Sequence, residues 1–315
     1  MEPTISRRKL LAGGTALMGQ AATPQTPTPA RLKVSIFSKH LQFLRDEDLA
    51  RTAAELGFDG IDITVRKGGH VEPDRVRQEL PALVSAIRRH SLEVPMITTD
   101  IVDAETPHAE DVLRTMADLG IRHYRWGGFV YAPGQPYPVQ LDRLKPRIAK
   151  LSALNQRYQA CAMYHTHSGR DVVGASIWDL YILLKDFDAG TVAVNYDVAH
   201  ATVEGGLGGW INSFRIATSH LRGIAVKDFA WGRDANGAWQ PQWQPLGEGM
   251  VLFPQFFGML KECRFSGPVQ LHFEYPLGGA NDGKRELGIP REEVYSAMKR
   301  DLERLRGWLA QQGLA

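Results

Sequence analysis

The sequence predicts a single-domain (β/α)8 TIM barrel behind an N-terminal export signal. From residue 31 onward, β-rich runs alternate with amphipathic helical segments eight times. Each unit spans roughly thirty-odd residues, which is the size of one strand–helix repeat in such a barrel. A doubly wound open sheet would be expected to carry a Gly-rich phosphate turn after its first strand, and Ser38-Lys39-His40 is not one. The barrel is therefore the favoured fold.

The first thirty residues are predicted to lie outside this domain. Arg7 and Arg8 lead into the short apolar run 10–18, and small residues follow at 19–22. A basic start, a weak apolar stretch and a small-residue cleavage site are typical of a twin-arginine signal peptide, predicted here at residues 1–22. Residues 23–30 are rich in Pro and Thr and read as a linker. The barrel occupies 31–315, and the expected location is periplasmic or secreted, without a stable membrane anchor.

The eight strands are predicted from short β-branched and apolar runs, and the helices from apolar residues at helical spacing. The first three strands are 32–37, 58–65 and 94–99, and the fourth is 121–126. The fifth enters at Cys161, and the last three end at Asp197, Lys227 and Glu274. The predicted helices are 46–56, 72–92, 109–119, 141–158, 177–187, 210–219, 253–263 and 292–309. Glycines at 57 and 120 end the first and third helices.

The composition excludes several functions. The 43% hydrophobic fraction is ordinary for a globular protein, and the formal net charge is only +2 over 315 residues. Much of that charge lies in the signal, so nucleic acid is not an expected partner. Two cysteines, Cys161 and Cys263, make no disulfide framework. The expected partner is a small carbohydrate, and homo-oligomer formation is left open.

Four successive strand ends carry residues suited to metal binding and proton transfer. His165 and His167 share one face of the fifth strand, because alternate side chains in a strand point the same way. Asp197 and His200 follow the sixth strand. The seventh strand ends at Lys227. His272 and Glu274 lie two residues apart at the end of the eighth strand. Barrel active sites lie at the C-terminal ends of strands, so one site is predicted here.

These motifs resemble the xylose isomerase-like TIM barrels, over roughly residues 31–312. The Asp-x-x-His at Asp197 and His200 looks like the family's sixth-strand motif, and Glu274 looks like its eighth-strand glutamate. The resemblance implies one divalent metal. Its expected ligands are His165, Asp197 and Glu274, with His272 or water as a fourth and His167 as the alternative to His165. Mn²⁺ is the expected ion, with Zn²⁺, Mg²⁺ and Co²⁺ as alternatives.

The sequence departs from the family pattern at two positions. His165 stands where a fifth-strand glutamate is usual, as in variants that resemble inosose dehydratases, and Ala225 stands where a seventh-strand histidine is usual. Losing one of two paired glutamate bases disfavours symmetric two-base epimerisation, so elimination competes with isomerisation. The isomerase class is slightly favoured by the resemblance. The missing histidine favours the alternative function, a non-catalytic, metal-free carbohydrate-binding barrel.

The expected chemistry is proton abstraction next to a carbonyl of an unphosphorylated sugar derivative, such as a keto-sugar or a 3-keto-glycoside. His167 or His200 is the predicted base, and Lys227 and the metal stabilise the enediolate. Glu274 is predicted to hold the metal and to relay a second proton. The predicted substrate-binding residues are Arg125, His70 and Glu248, the last from a loop that resembles the family's Gly-x-Gly loop.

Overall fold

A computed structural model describes residues 31–315 and shows a closed barrel of eight parallel strands surrounded by helices. The predicted signal peptide and linker lie outside the described residues. The barrel strands, in chain order, are β1 Val34–Phe37, β2 Gly60–Val65, β3 Met96–Thr99, β4 His123–Trp126, β5 Cys161–His165, β6 Val192–Asp197, β7 Leu221–Val226 and β10 Val269–Leu271. Two further strands, β8 Asp228–Arg233 and β9 Trp239–Gln244, form a separate antiparallel hairpin.

The barrel closes because β1 pairs with both β2 and β10 in parallel register. The helices that cover it are α1 Asp46–Leu56, α2 Val76–Arg89, α3 Ala109–Asp118, α4 Tyr137–Arg157, α5 Ile177–Leu184, α6 Val198–Ala217, α7 Phe253–Glu262 and α8 Arg291–Gln311. The predicted (β/α)8 fold is confirmed. No helix among residues 31–315 is long and apolar enough to cross a membrane.

The first helix illustrates how local sequence sets the element boundaries. Helix α1 carries three acidic residues in its first turn, where carboxylates are favoured by the helix dipole. It ends at Gly57, whose φ of 92° lies in the left-handed region that glycine adopts without steric cost. Its apolar positions are buried against the barrel, as the sequence pattern predicts.

Helix α6 begins much earlier than predicted. It starts at Val198, directly after β6, whereas the sequence pattern predicts a helix only from 210. The Asp197 carboxylate accepts hydrogen bonds from the backbone N–H groups of Ala199 and His200, which is an N-cap. Glycines conceal the segment in the sequence, and Gly206 breaks the helical geometry with a φ of 54°.

The segment between β7 and α7, where the sequence predicts neither strand nor helix, contains a hairpin. Strands β8 and β9 pair along their full length, from Asp228 opposite Gln244 to Arg233 opposite Trp239. The base of this hairpin is anchored by the Asp228 carboxylate. It accepts hydrogen bonds of 2.9–3.2 Å from the backbone N–H groups of Phe229, Gly247, Gly249 and Val251. Asp228 is therefore a structural residue of the barrel rim.

The inside of the barrel differs from the layer between strands and helices. A small separate cluster of Met96, Cys161, Met163 and Ala193 is fully buried apart from the main apolar core. Two amides, Asn195 and Gln270, are also fully buried there and hydrogen-bond each other at 2.9 Å. Both cysteines, Cys161 and Cys263, are free.

Replacing Asp228 with alanine should destabilise the protein strongly. The change leaves four backbone N–H groups without an acceptor, and we expect a loss of about 2–4 kcal/mol in the free energy of unfolding. Asp234→Ala is the matched control, because Asp234 accepts two backbone N–H groups at the exposed hairpin tip. Urea denaturation measures both. A loss for Asp228→Ala no larger than for the control would contradict the anchor role.

Candidate active site

The C-terminal ends of four neighbouring strands bring the predicted polar residues together. His165 ends β5, Asp197 ends β6, Lys227 follows β7 and His272 follows β10. All four side chains are almost completely buried. The strands are adjacent in the order β5-β6-β7-β10, so the residues line one side of the barrel mouth.

His165, Asp197 and His272 form a group of convergent ligand atoms. One ligand atom from each lies within 4.8 Å of the other two. His165 Nε2 is 3.5 Å from Asp197 Oδ2. His165 Nε2 and both ring nitrogens of His272 are buried and have no hydrogen-bond partner among residues 31–315, and Asp197 Oδ2 faces the Lys227 ammonium at 3.2 Å. Buried polar atoms are normally satisfied, so a site with this many unpaired atoms is suited to bind a partner of its own.

The His272 ring is held by stacking rather than by hydrogen bonds. It lies between Phe37, with a centroid separation of 4.8 Å, and His165, with a centroid separation of 5.6 Å. Both contacts are close to parallel, with interplanar angles of 29° and 27°. The stack fixes the plane of the imidazole and leaves its nitrogens free.

A second group shares His165 with the first. Ligand atoms of His165, His167 and His200 also lie within 4.8 Å of one another. In this group His167 and His200 already contact cationic side chains. Arg125 Nη2 lies 2.9 Å from His167 Nε2, and Lys227 Nζ lies 2.8 Å from His200 Nε2. The first group, with its unpaired atoms, is therefore the better metal site.

The Asn195 side chain supports His165 from inside the barrel. Its amide Nδ2 lies 3.1 Å from His165 Nδ1 and also donates to Gln270 Oε1. A hydrogen bond at one ring nitrogen orients the imidazole and directs the other nitrogen, here Nε2, toward the site. Gly223 allows this arrangement, because a Cβ there would come within 2.9 Å of both Asn195 Oδ1 and Met163 Sδ.

The Lys227 ammonium links the two groups. It lies 3.2 Å from Asp197 Oδ2 and 2.8 Å from His200 Nε2. The other ring nitrogen of His200 is 2.8 Å from Ser168 Oγ. Trp243, on β9 of the hairpin, covers this pair. Its ring lies 4.5 Å from Lys227 Nζ and meets the His200 ring edge-on at 5.1 Å.

The imidazoles of the site are kept neutral by burial and by neighbouring cations. Burial, followed by the charge of Arg125, holds the pKa of His165 well below its usual value. Burial and Lys227 do the same for the pKa of His200. Burial, followed by His200 and Arg125, lowers the pKa of His167 to about 2. Neutral imidazoles can bind a metal or accept a proton, and both uses need the free electron pair.

Glu274 lies beside the first group but outside it. Its carboxylate pairs with Lys39, with oxygen–nitrogen distances of 3.1 and 3.2 Å, and lies 3.8 Å from His272 Nδ1. Burial alone would raise the pKa of Glu274, but the charges of Lys227 and Lys39 outweigh it and lower the pKa to about 2. Of the four predicted metal ligands, the structure thus brings three together and places Glu274 at the edge.

The three predicted substrate-binding residues lie in different places. Arg125 reaches the histidine cluster through His167. His70 contacts Thr64 at 3.1 Å and lies beside the backbone of the 41–44 loop, apart from the cluster. Glu248 is half exposed and lies 3.7 Å from Arg304 on α8. Only Arg125 therefore belongs to the site as the structure shows it.

Two further residues of the site were not singled out from the sequence. Lys39 follows β1 and neutralises Glu274, and Arg66 follows β2 and lies 5.6 Å from the Phe37 ring. Arg66 directly follows its strand, which is the signal that identified Lys227, and Lys39 lies two residues after β1. Lys227 itself pairs with Asp197 rather than with its chain neighbour Asp228.

The donor set of the first group fits a divalent metal. Two neutral imidazoles with unpaired nitrogens and one carboxylate, whose Oδ2 faces the Lys227 ammonium, match the mixed nitrogen and oxygen ligands of first-row divalent ions. Asn195 acts as the supporting contact that such a histidine usually has. Ala225, at the end of β7, contributes no ligand.

Comparison with known proteins agrees with the fold. The family model for xylose isomerase-like TIM barrels matches residues 50–300. A D-tagatose 3-epimerase-like protein superimposes with a TM-score of 0.65 at 16% identity, covering 89% of this chain and 98% of that one. A 3-keto-D-glucoside 4-epimerase from E. coli gives 0.60 at 15% identity, covering 88% and 100%. A probable 3-DHS dehydratase from Bacillus anthracis gives 0.64 at 15%, covering 87% and 99%.

No curated protein sequence matches the chain. The solved structures share 16% identity or less with it, so their likeness concerns the fold. The family model, in contrast, covers most of the sequence, including the ends of β5, β6, β7 and β10. The chain belongs to the xylose isomerase-like TIM barrel family.

Proposed function

We propose that the protein is a sugar isomerase, epimerase or lyase that removes a proton next to a carbonyl group. The proposed substrate is an unphosphorylated sugar derivative such as a keto-sugar or a 3-keto-glycoside. Family membership supports a sugar-modifying enzyme, and proteins of similar fold include sugar 3-epimerases, a keto-glucoside epimerase and a dehydratase. Isomerisation is the first choice within this group, and elimination is the second.

The contact between Lys227 and His200 carries the proposal. The ammonium nitrogen and the imidazole Nε2 are 2.8 Å apart in a buried site. A carbonyl oxygen and the hydrogen on the adjacent carbon are separated by a similar distance, so one substrate can face both groups at once. Lys227 is then the electrophile and His200 the base. His167 is the alternative base, but its Nε2 faces Arg125.

The proposed reaction begins when the substrate carbonyl oxygen takes the hydrogen bond of Lys227. His200 Nε2 then has a free electron pair and accepts the α-proton. The electron pair of the C–H bond forms the carbon–carbon double bond of an enediolate, and the carbonyl π electrons move to the oxygen beside Lys227. In isomerisation protonated His200 gives its proton to the former carbonyl carbon, while the neighbouring hydroxyl passes its proton to the enediolate oxygen and becomes the new carbonyl. In elimination the carbonyl re-forms, the carbon–oxygen bond to the leaving group breaks, and protonated His200 protonates the departing oxygen.

The remaining residues hold this geometry. Asp197 keeps Lys227 in place through Oδ2 and fixes the start of α6, from which His200 projects, through Oδ1. Ser168 orients the His200 ring from the opposite side. Trp243 covers the pair and keeps water from it. Glu274 can accept a second proton only when it leaves Lys39, because the neighbouring cations lower its pKa to about 2.

A divalent ion bound by His165, Asp197 and His272 would supply a Lewis acid for substrate oxygen atoms. Mn²⁺ remains the ion proposed, with Zn²⁺, Mg²⁺ and Co²⁺ as alternatives. A metal-free carbohydrate-binding barrel is the second candidate function. It is favoured by Ala225 and by the two lysines that neutralise Asp197 and Glu274, the only acidic side chains among the predicted ligands.

We also propose that the protein is exported by the twin-arginine route. Replacing both Arg7 and Arg8 with lysine should leave the protein in the cytoplasm, because that route reads the arginine pair. Cell fractionation with an antibody against the barrel measures the location. Periplasmic delivery of the doubly substituted protein would contradict the proposal.

Purified protein should bind about one divalent ion per chain if the first group is a metal site. His272→Ala should weaken metal binding by at least roughly 100-fold, because even supporting contacts of metal ligands contribute about 10–100-fold. His90→Ala is the control, since His90 lies on the outer surface beside Glu47. Titration calorimetry of the chelator-treated protein measures both variants. Equal affinities in the two variants would exclude His272 as a ligand.

Substrate incubated with the enzyme in deuterated water should gain deuterium at the carbon next to the carbonyl. A screen of keto-sugars and 3-keto-glycosides by mass spectrometry identifies the substrate. His200→Ala should then lower the exchange rate roughly 10²–10⁴-fold, which is the usual effect of removing a general base. His167→Ala should lower it less than about tenfold. The reverse order would assign the base to His167.

The pH dependence separates this base from an ordinary imidazole. Because burial and Lys227 hold the pKa of His200 well below 6.5, His200 stays neutral and active as the pH falls through 6.5. We expect kcat/KM to decline only at lower pH. A decline centred on 6.5 would show an unperturbed histidine as the base.

A further inference from the structure

The barrel mouth contains more cationic side chains than its carboxylates can neutralise. Two of its carboxylates are already paired, Glu274 with Lys39 at 3.1 Å and Asp197 with Lys227 at 3.2 Å. The third, Asp62, is fully buried and accepts hydrogen bonds from Thr98 at 2.8 and 3.0 Å. Burial raises the pKa of Asp62 to about 7, and the hydrogen bonds of Thr98 and the charges of Arg125 and Arg66 oppose this shift.

Two arginines, Arg66 and Arg125, remain without a carboxylate within 4 Å in the described part of the chain. They are close enough that the charge of Arg66 lowers the pKa of Arg125, after the larger effect of burial. The two positive charges repel each other, and an anion bound by both guanidinium groups would offset this repulsion.

Both arginines project from rigid backbone. Arg66 directly follows β2 in a tight loop, where its N–H donates to Val71 O and its carbonyl accepts from Gly69 N. Gly69 has no room for a side chain, because a Cβ would come within 2.8 Å of Thr64 O. Arg125 lies within β4, and its carbonyl accepts from Thr99 Oγ1 at 2.9 Å. A rigid backbone on both sides is what a preorganised binding site requires.

The two guanidinium groups share the buried Phe37 ring as a neighbour. The Arg66 and Arg125 carbons lie 5.6 and 5.9 Å from the ring centroid. Phe37 also stacks on His272 of the first ligand group. The arginine pair is therefore next to the proposed reaction centre, and Phe37 connects the two. A ligand bound at the centre would reach the pair with a neighbouring substituent.

The loop between β7 and α7 disfavours phosphate as that substituent. Barrels commonly bind phosphate through backbone N–H groups of the loops after the seventh and eighth strands. Here the N–H groups of Gly247, Gly249 and Val251 already donate to Asp228. Arginine pairs, in contrast, match the planar, two-oxygen geometry of a carboxylate.

We infer that the substrate is a sugar acid, whose carboxylate is bound by Arg66 and Arg125 while its carbonyl carbon faces Lys227 and His200. This inference rests on the proposed function for the identity of the ligand as a sugar. It adds the substrate class, a uronic or other carboxylated sugar, and it adds Arg66 as a specificity-determining residue.

The test compares D-glucuronate with D-glucuronamide, two probes of the same shape that differ in charge. Titration calorimetry with the full chain should show glucuronate binding at least about tenfold more tightly. Arg66→Gln and Arg125→Gln should each reduce that ratio to about twofold or less, while Arg66→Lys should retain part of it. Arg157→Gln is the matched control, since Arg157 is exposed at the opposite end of the barrel and pairs with Glu110.

The outcomes separate this inference from the proposed function. Equal binding of the two probes to the unaltered protein would overturn the inference, as would a ratio that survives both substitutions. If glucose 6-phosphate binds more tightly than glucuronate and the same substitutions abolish this preference, the two arginines select a phosphate rather than a carboxylate. That result would also overturn the inference. Deuterium exchange is measured separately, so a protein that selects glucuronate without exchange would support the sugar-acid site and contradict the proposed reaction.

Discussion

The buried ion pair between Asp197 and Lys227 is the interaction on which the site depends. One Asp197 oxygen caps α6 and the other faces Lys227 and His165, so a single carboxylate joins a helix start, a cation and a predicted metal ligand. Both side chains are almost completely buried. A buried charge without its partner is strongly unfavourable, so the two residues hold each other in position. His200 is placed by the same arrangement, since its own N–H is one of the capped groups.

The metal and the lysines compete for the same carboxylates. In the structure Lys227 lies beside Asp197, and Lys39 lies beside Glu274. A metal ion bound by His165, Asp197 and His272 would repel the Lys227 ammonium, because both are positively charged. This repulsion would favour a Lys227 side chain that turns away from Asp197 and toward a substrate oxygen. The same positive surplus suits an enediolate and a sugar acid. The electrostatics of the mouth thus favour anions at two neighbouring positions.

The repeat of strand and helix could be predicted from the sequence because it depends on local patterns. The strand ends of β5, β6, β7 and β10 were also predictable, since polar residues interrupt apolar runs there. The early start of α6 was not, because four glycines lie between residues 205 and 209 and hide a helix that Asp197 caps. The hairpin was missed for a similar reason: proline, glycine and tryptophan obscure the alternation of β8 and β9.

Which polar residues meet could be predicted only in part. The order of the strands places His165, Asp197 and His272 close together. Contacts between long side chains depend on rotamers and neighbouring charges, which the sequence pattern does not show. Lys39 forms an ion pair with Glu274, which was a predicted metal ligand. Lys227 forms an ion pair with Asp197 and not with the adjacent Asp228. Asp228 is unavailable because four backbone N–H groups already surround it.

The hairpin attached at Asp228 is a part of the protein whose sequence and length can vary between relatives. Its base is fixed by one carboxylate, whereas its tip at Asp234 is exposed and its two strands pair only with each other. Changes in length or sequence beyond the base leave the barrel hydrogen bonds intact. Trp243, which covers Lys227 and His200, pairs with Phe229 one residue above the base. The tip beyond this pair can therefore diverge among relatives while the cover and the two residues below it stay the same.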